Sequence, residues 1–167
     1  MDHVALECSP CDARSVMIFT MESGSAEGRA WCARLMAATD PWLTLGRNYE
    51  DCLARCGHAE YTLLVASENG ARLGFVLLHP RGVAGSPYIA AIAVSADARG
   101  RGVGSALLAE AEAYFTAARH IFLCVSSFNG EARRLYERQG YQAVGELVDY
   151  VIDGASETLM HKRLAAS

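Results

Sequence analysis

The run SPYIAAIAVS, residues 86–95, most constrains the fold. It is apolar on both faces, so as a strand it must be central and covered on both sides. Immediately after it, DARGRGVGSALLAEAEAYF, Asp97 to Phe115, sets glycines at 100, 102 and 104 and then enters an unbroken helix pattern. A structural reading makes these glycines turn and cap residues. A chemical reading makes them an anion site, because free N–H groups at a helix start attract phosphates.

The flanking segments supply the rest of the order. SVMIFTM, 15–21, is strand-like, and a helical pattern with Ala26, Ala30, Ala33, Leu35, Met36 and Ala37 runs from Ser25 to the break at Asp40-Pro41. A short second helix is predicted from the N-cap residue Asn48, with Asp51 as capping acid, to Gly57. Asn69-Gly70 between alternating runs predicts a hairpin of strands near 60–67 and 71–79. After the strand at 86–95, a helix is expected over 103–118, a buried strand over 120–127 and a helix from Asn129 to Gln139 closed by Gly140. Two strands near 142–151 and 155–163, joined at Asp153-Gly154, end the series. Residues 1–14 read as a flexible leader and 15–167 as one mixed α/β domain.

Composition narrows the partners. A net charge of −4 provides no global attraction for nucleic acid or an acidic membrane surface. No apolar run reaches the ~20 residues of a membrane span, and MDHVALECSPCD lacks the basic-then-apolar order of a signal peptide, so a cytoplasmic protein is expected. The six cysteines are read as reduced thiols. Cys8 and Cys11 form a CxxC, and Cys52 and Cys56 lie four apart, but helical surroundings argue against a four-thiolate metal site. No metal is expected.

Phosphate-binding patterns discriminate further. A Walker loop needs a lysine after its glycines, and none is present. A dinucleotide fingerprint needs a third small residue, and Leu107 stands in its place. What remains is Arg99-x-x-Gly102-x-Gly104, followed downstream by Asn129-Gly-Glu-Ala132-Arg-Arg-Leu135-Tyr136-Glu-Arg-Gln-Gly140-Tyr141. These two linked motifs resemble the GNAT family of N-acetyltransferases, whose acetyl-CoA pyrophosphate loop and second motif carry the same residues. The resemblance spans about residues 60–163.

The resemblance implies a GNAT-like α/β fold with a mostly antiparallel sheet of about six or seven strands, about four helices, and a splayed central strand pair that holds coenzyme A. It assigns the backbone of Gly100, Arg101, Gly102, Val103, Gly104 and Ser105 to the pyrophosphate. Arg99 and Arg101 would add charge, or would be solvated surface. Ile92, Ala93 and Val94 would pair with the pantetheine arm as an added strand, with an N–H of Ala93 or Val94 polarising the thioester carbonyl. Asn129 and Ala132 would contact the same arm. Asn129 and Tyr136 are seven apart, so on a helix their headings differ by about 20° and they share a face. The implied role of Tyr136 is general acid toward the departing sulfur. Against this stands the reading of Asn129 as a plain N-cap and Tyr136 as a core aromatic.

The chain departs from many relatives of that family in one respect. Tyr88 to Val94 contains no acid or histidine to take a proton from an ammonium group. Proton removal then runs through water or another element, or the amine arrives neutral; Asp40, Tyr88, Asp149 and Tyr150 are the candidates. Trp42 is either an acceptor-pocket wall or a core plug. Asp40, Glu50, Asp51 and Asp149 would suit a cationic amine. Acetyl transfer to a primary amine of a small molecule or peptide is therefore expected, with room for a homodimer through sheet edges. The rivals are a non-catalytic acyl-CoA-binding regulatory module and a nucleotide-binding protein of another fold.

Overall fold

In the computed structural model, which describes residues 16–165, seven strands form one sheet flanked by four α-helices. The expected leader at 1–14, with its Cys8-Cys11 pair, lies outside the described residues. Chain order is β1 (Ile18–Met21), α1 (Ala26–Ala37), α2 (Tyr49–Cys56), β2 (Thr62–Glu68), β3 (Ala71–Val83), β4 (Ser86–Val94), α3 (Val103–Tyr114), β5 (His120–Ser126), α4 (Gly130–Arg138), β6 (Gln142–Leu147) and β7 (Glu157–Arg163). A single 3-10 turn, Ala96–Ala98, separates β4 from the glycine loop. The sheet order is β1-β2-β3-β4-β5-β7-β6, antiparallel except for the β4–β5 pair. No described helix is long and apolar enough to cross a membrane.

The two-sided burial expected of residues 86–95 is present. Helix α1 turns Cys32, Ala33 and Met36, spaced for one helical face, into an apolar layer that includes Leu63, Phe75 and Ala91. On the opposite face α3 presents Val103, Leu107, Leu108 and Ala111 to Val76, Ile89 and Leu123. Strand β4 feeds both layers by alternation, and its register slips at Ala90: Leu77 and Leu78 are consecutive, whereas their partners are Ala91 and Ile89. Ile89 therefore faces the α3 layer and Ala91 the α1 layer, although residues two apart on a regular strand share a face.

Local chemistry sets the helix starts. Ser25 caps α1 through Gly28 N at 2.9 Å. Asn48 and Asp51 form the reciprocal capping box of α2. Three boundaries differ from the sequence expectation by four residues each. Helix α3 stops at Tyr114 rather than 118, because Phe115 leaves the helical conformation (ψ 56°) and packs its ring on the core. Strand β3 runs to Val83 rather than 79 and continues through Pro80. Strand β6 ends at Leu147 rather than 151, since Asp149 takes φ 50° and closes a loop by accepting from Gly154 N at 2.7 Å.

Gly74, opposite Val94 of β4, has no room for a side chain. A Cβ there would stand 2.6 Å from the Ala93 carbonyl oxygen and 3.1 Å from Leu107 Cδ1. Backbone cannot yield as a flexible side chain does, so Gly74→Ala is expected to lower unfolding free energy by about 2 kcal/mol, measured by urea titration. An unchanged midpoint would show that β4 has slack at Ala93.

Candidate active site

The slip at Ala90 also opens the sheet. Strands β4 and β5 pair only through Tyr88↔Phe122 and Ile89↔Leu123, and beyond Ile89 they separate. The β4 edge beyond Ile89 and the facing β5 edge at 124–126, each still paired on its other side, thus lack a strand partner toward one another and border a cleft of about 1450 Å³. Unpaired buried backbone groups need partners, so an extended ligand arm fits between these strands as an added strand would. The Arg55 guanidinium, reaching from α2, donates to the Ala90 carbonyl at 2.8 Å and secures the bulge.

Helix α3 enters the same cleft by its N-terminus, and its start is unlike those of the other three. Ser25, Asn48 and Asn129 cap α1, α2 and α4 with side-chain oxygens, and each first turn carries an acid. At α3 the N-cap is Gly102, no side chain caps it, and the first turn has no acid. Its first N–H groups have no intrahelical partner and are left for an anion. Gly100 and Gly102 hold φ values of 73° and 81°, and a Cβ on either would meet nothing within 4 Å beyond its adjoining residues. Only glycine adopts these angles without strain, and it leaves the space beside the N–H groups clear. An uncapped, acid-free helix start beside two open strand edges fits the pyrophosphate and pantetheine arm of coenzyme A.

Most residues singled out from sequence line this cleft: Ile92, Ala93, Val94, Arg99, Gly100, Gly102, Val103, Gly104, Ser105, Asn129, Ala132 and Tyr136. Arg99 Nε donates to the Val94 carbonyl at 3.4 Å, tying the loop to the end of β4. The Ser105 hydroxyl accepts from Gln139 Nε2 at 3.1 Å and couples the two motif helices. Asn129 is the α4 N-cap, accepting from Ala132 N at 3.3 Å, and it lines the cleft as well. The cap reading and the site reading of Asn129 are thus compatible. Arg101 is not brought into the group: its guanidinium pairs with Glu68 at the end of β2.

The acceptor-side candidates divide likewise. Asp40, Trp42, Tyr88 and Tyr150 line the cleft, whereas Asp149 does not, its carboxylate being used by the Gly154 turn. Trp42 is both plug and wall, 9% exposed in the α1 layer with one side on the cleft. Asp40 accepts from Thr44 N and Oγ1 in an exposed turn. Tyr88 adjoins the Cys124 thiol, and burial raises its phenol well above the usual range. Cys52 and Cys56 are buried in the α1 layer, where burial pushes the Cys56 thiol up to about 11, and no set of three or more candidate metal ligands occurs among the described residues.

Tyr136 is 6% exposed, and burial, with the nearby Glu157 carboxylate adding to it, raises its phenol far above the ordinary value. It therefore holds its proton at neutral pH. Tyr136 lines the cleft, whereas its neighbour Tyr141 does not. Sequence reasoning missed Ser126 and Glu157. Both are buried, both line the cleft, and the Ser126 hydroxyl donates to Glu157 Oε1 at 2.5 Å across the β5–β7 register. Only the start of a strand after a turn marked Glu157, which does not distinguish it from a solvated acid.

Comparison with known proteins agrees with this geometry. Residues 28–141 match the model of the acetyltransferase (GNAT) family. An uncharacterized N-acetyltransferase of Methanocaldococcus jannaschii is 38% identical over 82 residues, covering 47% of this chain and 53% of that protein. The chain thus spans about half the length of that relative. An uncharacterized N-acetyltransferase of Bacillus subtilis is 34% identical over 106 residues, 60% of this chain and 71% of its own length. Among solved structures, an aminoglycoside 6′-N-acetyltransferase complexed with coenzyme A superimposes with a TM-score of 0.73 at 15% identity, covering 90% of this chain and 98% of that one. At that identity the likeness is one of fold. With the family match spanning most of the chain, and the uncapped α3 loop and split β4–β5 pair both within it, the chain belongs to the acetyltransferase (GNAT) family.

Proposed function

We propose that the protein transfers an acetyl group from acetyl-CoA to a primary amine of a small molecule or peptide, by direct attack within a ternary complex. The observation that carries this reading is the convergence of the uncapped α3 N-terminus, the open edges of β4 and β5, and the Tyr136 hydroxyl on one cleft. When bound, acetyl-CoA supplies an activated thioester carbonyl.

The chain's own groups have distinct tasks in this reading. N–H groups at the start of α3 hold the diphosphate, and the open edge of β4 from Ile92 to Val94 aligns the arm. The Val94 N–H on that edge polarises the carbonyl, since the register turns the Ala93 N–H toward Phe75 of β3. Tyr136, kept protonated by burial, donates its proton to the departing sulfur. The acceptor enters on the side of Trp42, Tyr88 and Tyr150, which supply apolar and phenolic surface.

The test is thiol release from acetyl-CoA in the presence of a polyamine, an aminoglycoside and an alanine-terminated peptide. Amine-dependent release with at least one of them is expected, at a rate proportional to enzyme. Tight acetyl-CoA binding without release across a broad amine panel would instead support the non-catalytic regulatory module.

A further inference from the structure

We propose that Glu157 accepts the ammonium proton of the acceptor amine, with the Ser126 hydroxyl holding its carboxylate in place. This rests on the acetyl-transfer reading and supplies the proton acceptor that β4 lacks. Four acids line the cleft: Asp40, Asp51, Glu131 and Glu157. Asp40 is turned into its exposed turn by Thr44, Asp51 serves the capping box of α2, and Glu131 is exposed in the first turn of α4. Glu157 alone among them is buried.

Its surroundings suit the task. Ser126 occupies Oε1, and Glu157 lines the cleft. Ser126 of β5 contacts the carboxylate, Tyr88 of β4, Cys124 of β5 and Tyr136 of α4 lie near enough to feel its charge, and no described lysine, arginine or histidine forms an ion pair with it. A buried carboxylate without a cationic partner favours an arriving ammonium ion and then its proton. Burial raises the Glu157 carboxyl above the usual carboxylate range, and the Ser126 hydrogen bond opposes that rise. A more basic carboxylate is a better match to an amine.

The step balances as follows. Glu157 takes one proton from R–NH3+, leaving a free lone pair on nitrogen. The C–N bond forms as the C–S bond breaks, Tyr136 protonates the leaving sulfur, and the phenolate recovers a proton from the new amide nitrogen. Glu157 then releases its proton to solvent, so an ammonium ion and a thioester yield an amide, a thiol and one proton.

The experiment is the pH profile of kcat/KM for the best amine of the panel above, in wild type, Glu157→Gln, Glu157→Asp and Ser126→Ala, with acetyl-CoA affinity measured alongside. Glu157→Gln is expected to lower kcat/KM by about 10²-fold near neutral pH. Its acetyl-CoA affinity should stay unchanged, and its deficit should shrink as pH rises through the amine's own titration. Glu157→Asp should keep the acidic limb at an intermediate rate, and Ser126→Ala should move that limb to higher pH. A wild-type profile in Glu157→Gln, or a deficit of equal size at every pH, overturns the proposal while leaving acetyl transfer standing. Should wild type release no thiol with any amine, the acetyl-transfer reading fails and this proposal falls with it.

Discussion

Gly102→Val is expected to abolish measurable acetyl-CoA binding under conditions that saturate the wild type, a loss of about 10³-fold or about 4 kcal/mol in binding free energy. Two effects add. Valine at φ 81° is forced into a left-handed conformation that costs a branched residue roughly 1–3 kcal/mol, so the loop relaxes and misdirects the N–H groups that open α3. The new side chain also projects into the space beside those N–H groups. Beyond the adjoining residues no protein atom lies within 4 Å of that Cβ, so core packing is not disturbed, and the loss should fall on ligand binding. Calorimetry for affinity and thermal unfolding for the fold separate the two. Undiminished affinity would remove the loop from the diphosphate site.

Tyr136→Phe should have the opposite signature. Acetyl-CoA affinity stays within about twofold, while kcat for amine acetylation falls by about 10²- to 10³-fold, the range for loss of a positioned proton donor. The ring remains packed against Tyr141 and the α3 layer, and only the hydroxyl at the cleft is lost. Because burial holds the phenol protonated far above neutrality, the wild-type rate should not fall on the alkaline side between pH 7 and 9 through loss of this proton. An unchanged kcat in Tyr136→Phe would assign the proton to water and leave Tyr136 a packing role.

What could be read from sequence was local or periodic. The α2 capping box, the Asn69-Gly70 hairpin and the α1 break before Pro41 are each specified by residues a few positions apart. The Arg99 to Gly104 loop was legible for the same reason, since glycines at positive φ leave a direct trace. What sequence hid was set by pairing between distant segments. The slip at Ala90 has no marker in SPYIAAIAVS, because alanine fits either face, and yet it ends the β4–β5 pairing and opens the cleft. Glu157 acquires its meaning from the β5–β7 register that sets it opposite Ser126, thirty-one residues away. Asp149 and Arg101 looked equally suitable as isolated polar residues, but the turn to Gly154 and the pair with Glu68 use their charges elsewhere.

The central claim is that the split between β4 and β5, together with the α3 N-terminus, forms a coenzyme A site. Titration calorimetry of the full chain with acetyl-CoA, ATP and NAD tests it most directly. Saturable one-to-one binding of acetyl-CoA, far tighter than that of either nucleotide, is the predicted result. Binding of ATP or NAD with no affinity for acetyl-CoA would contradict it.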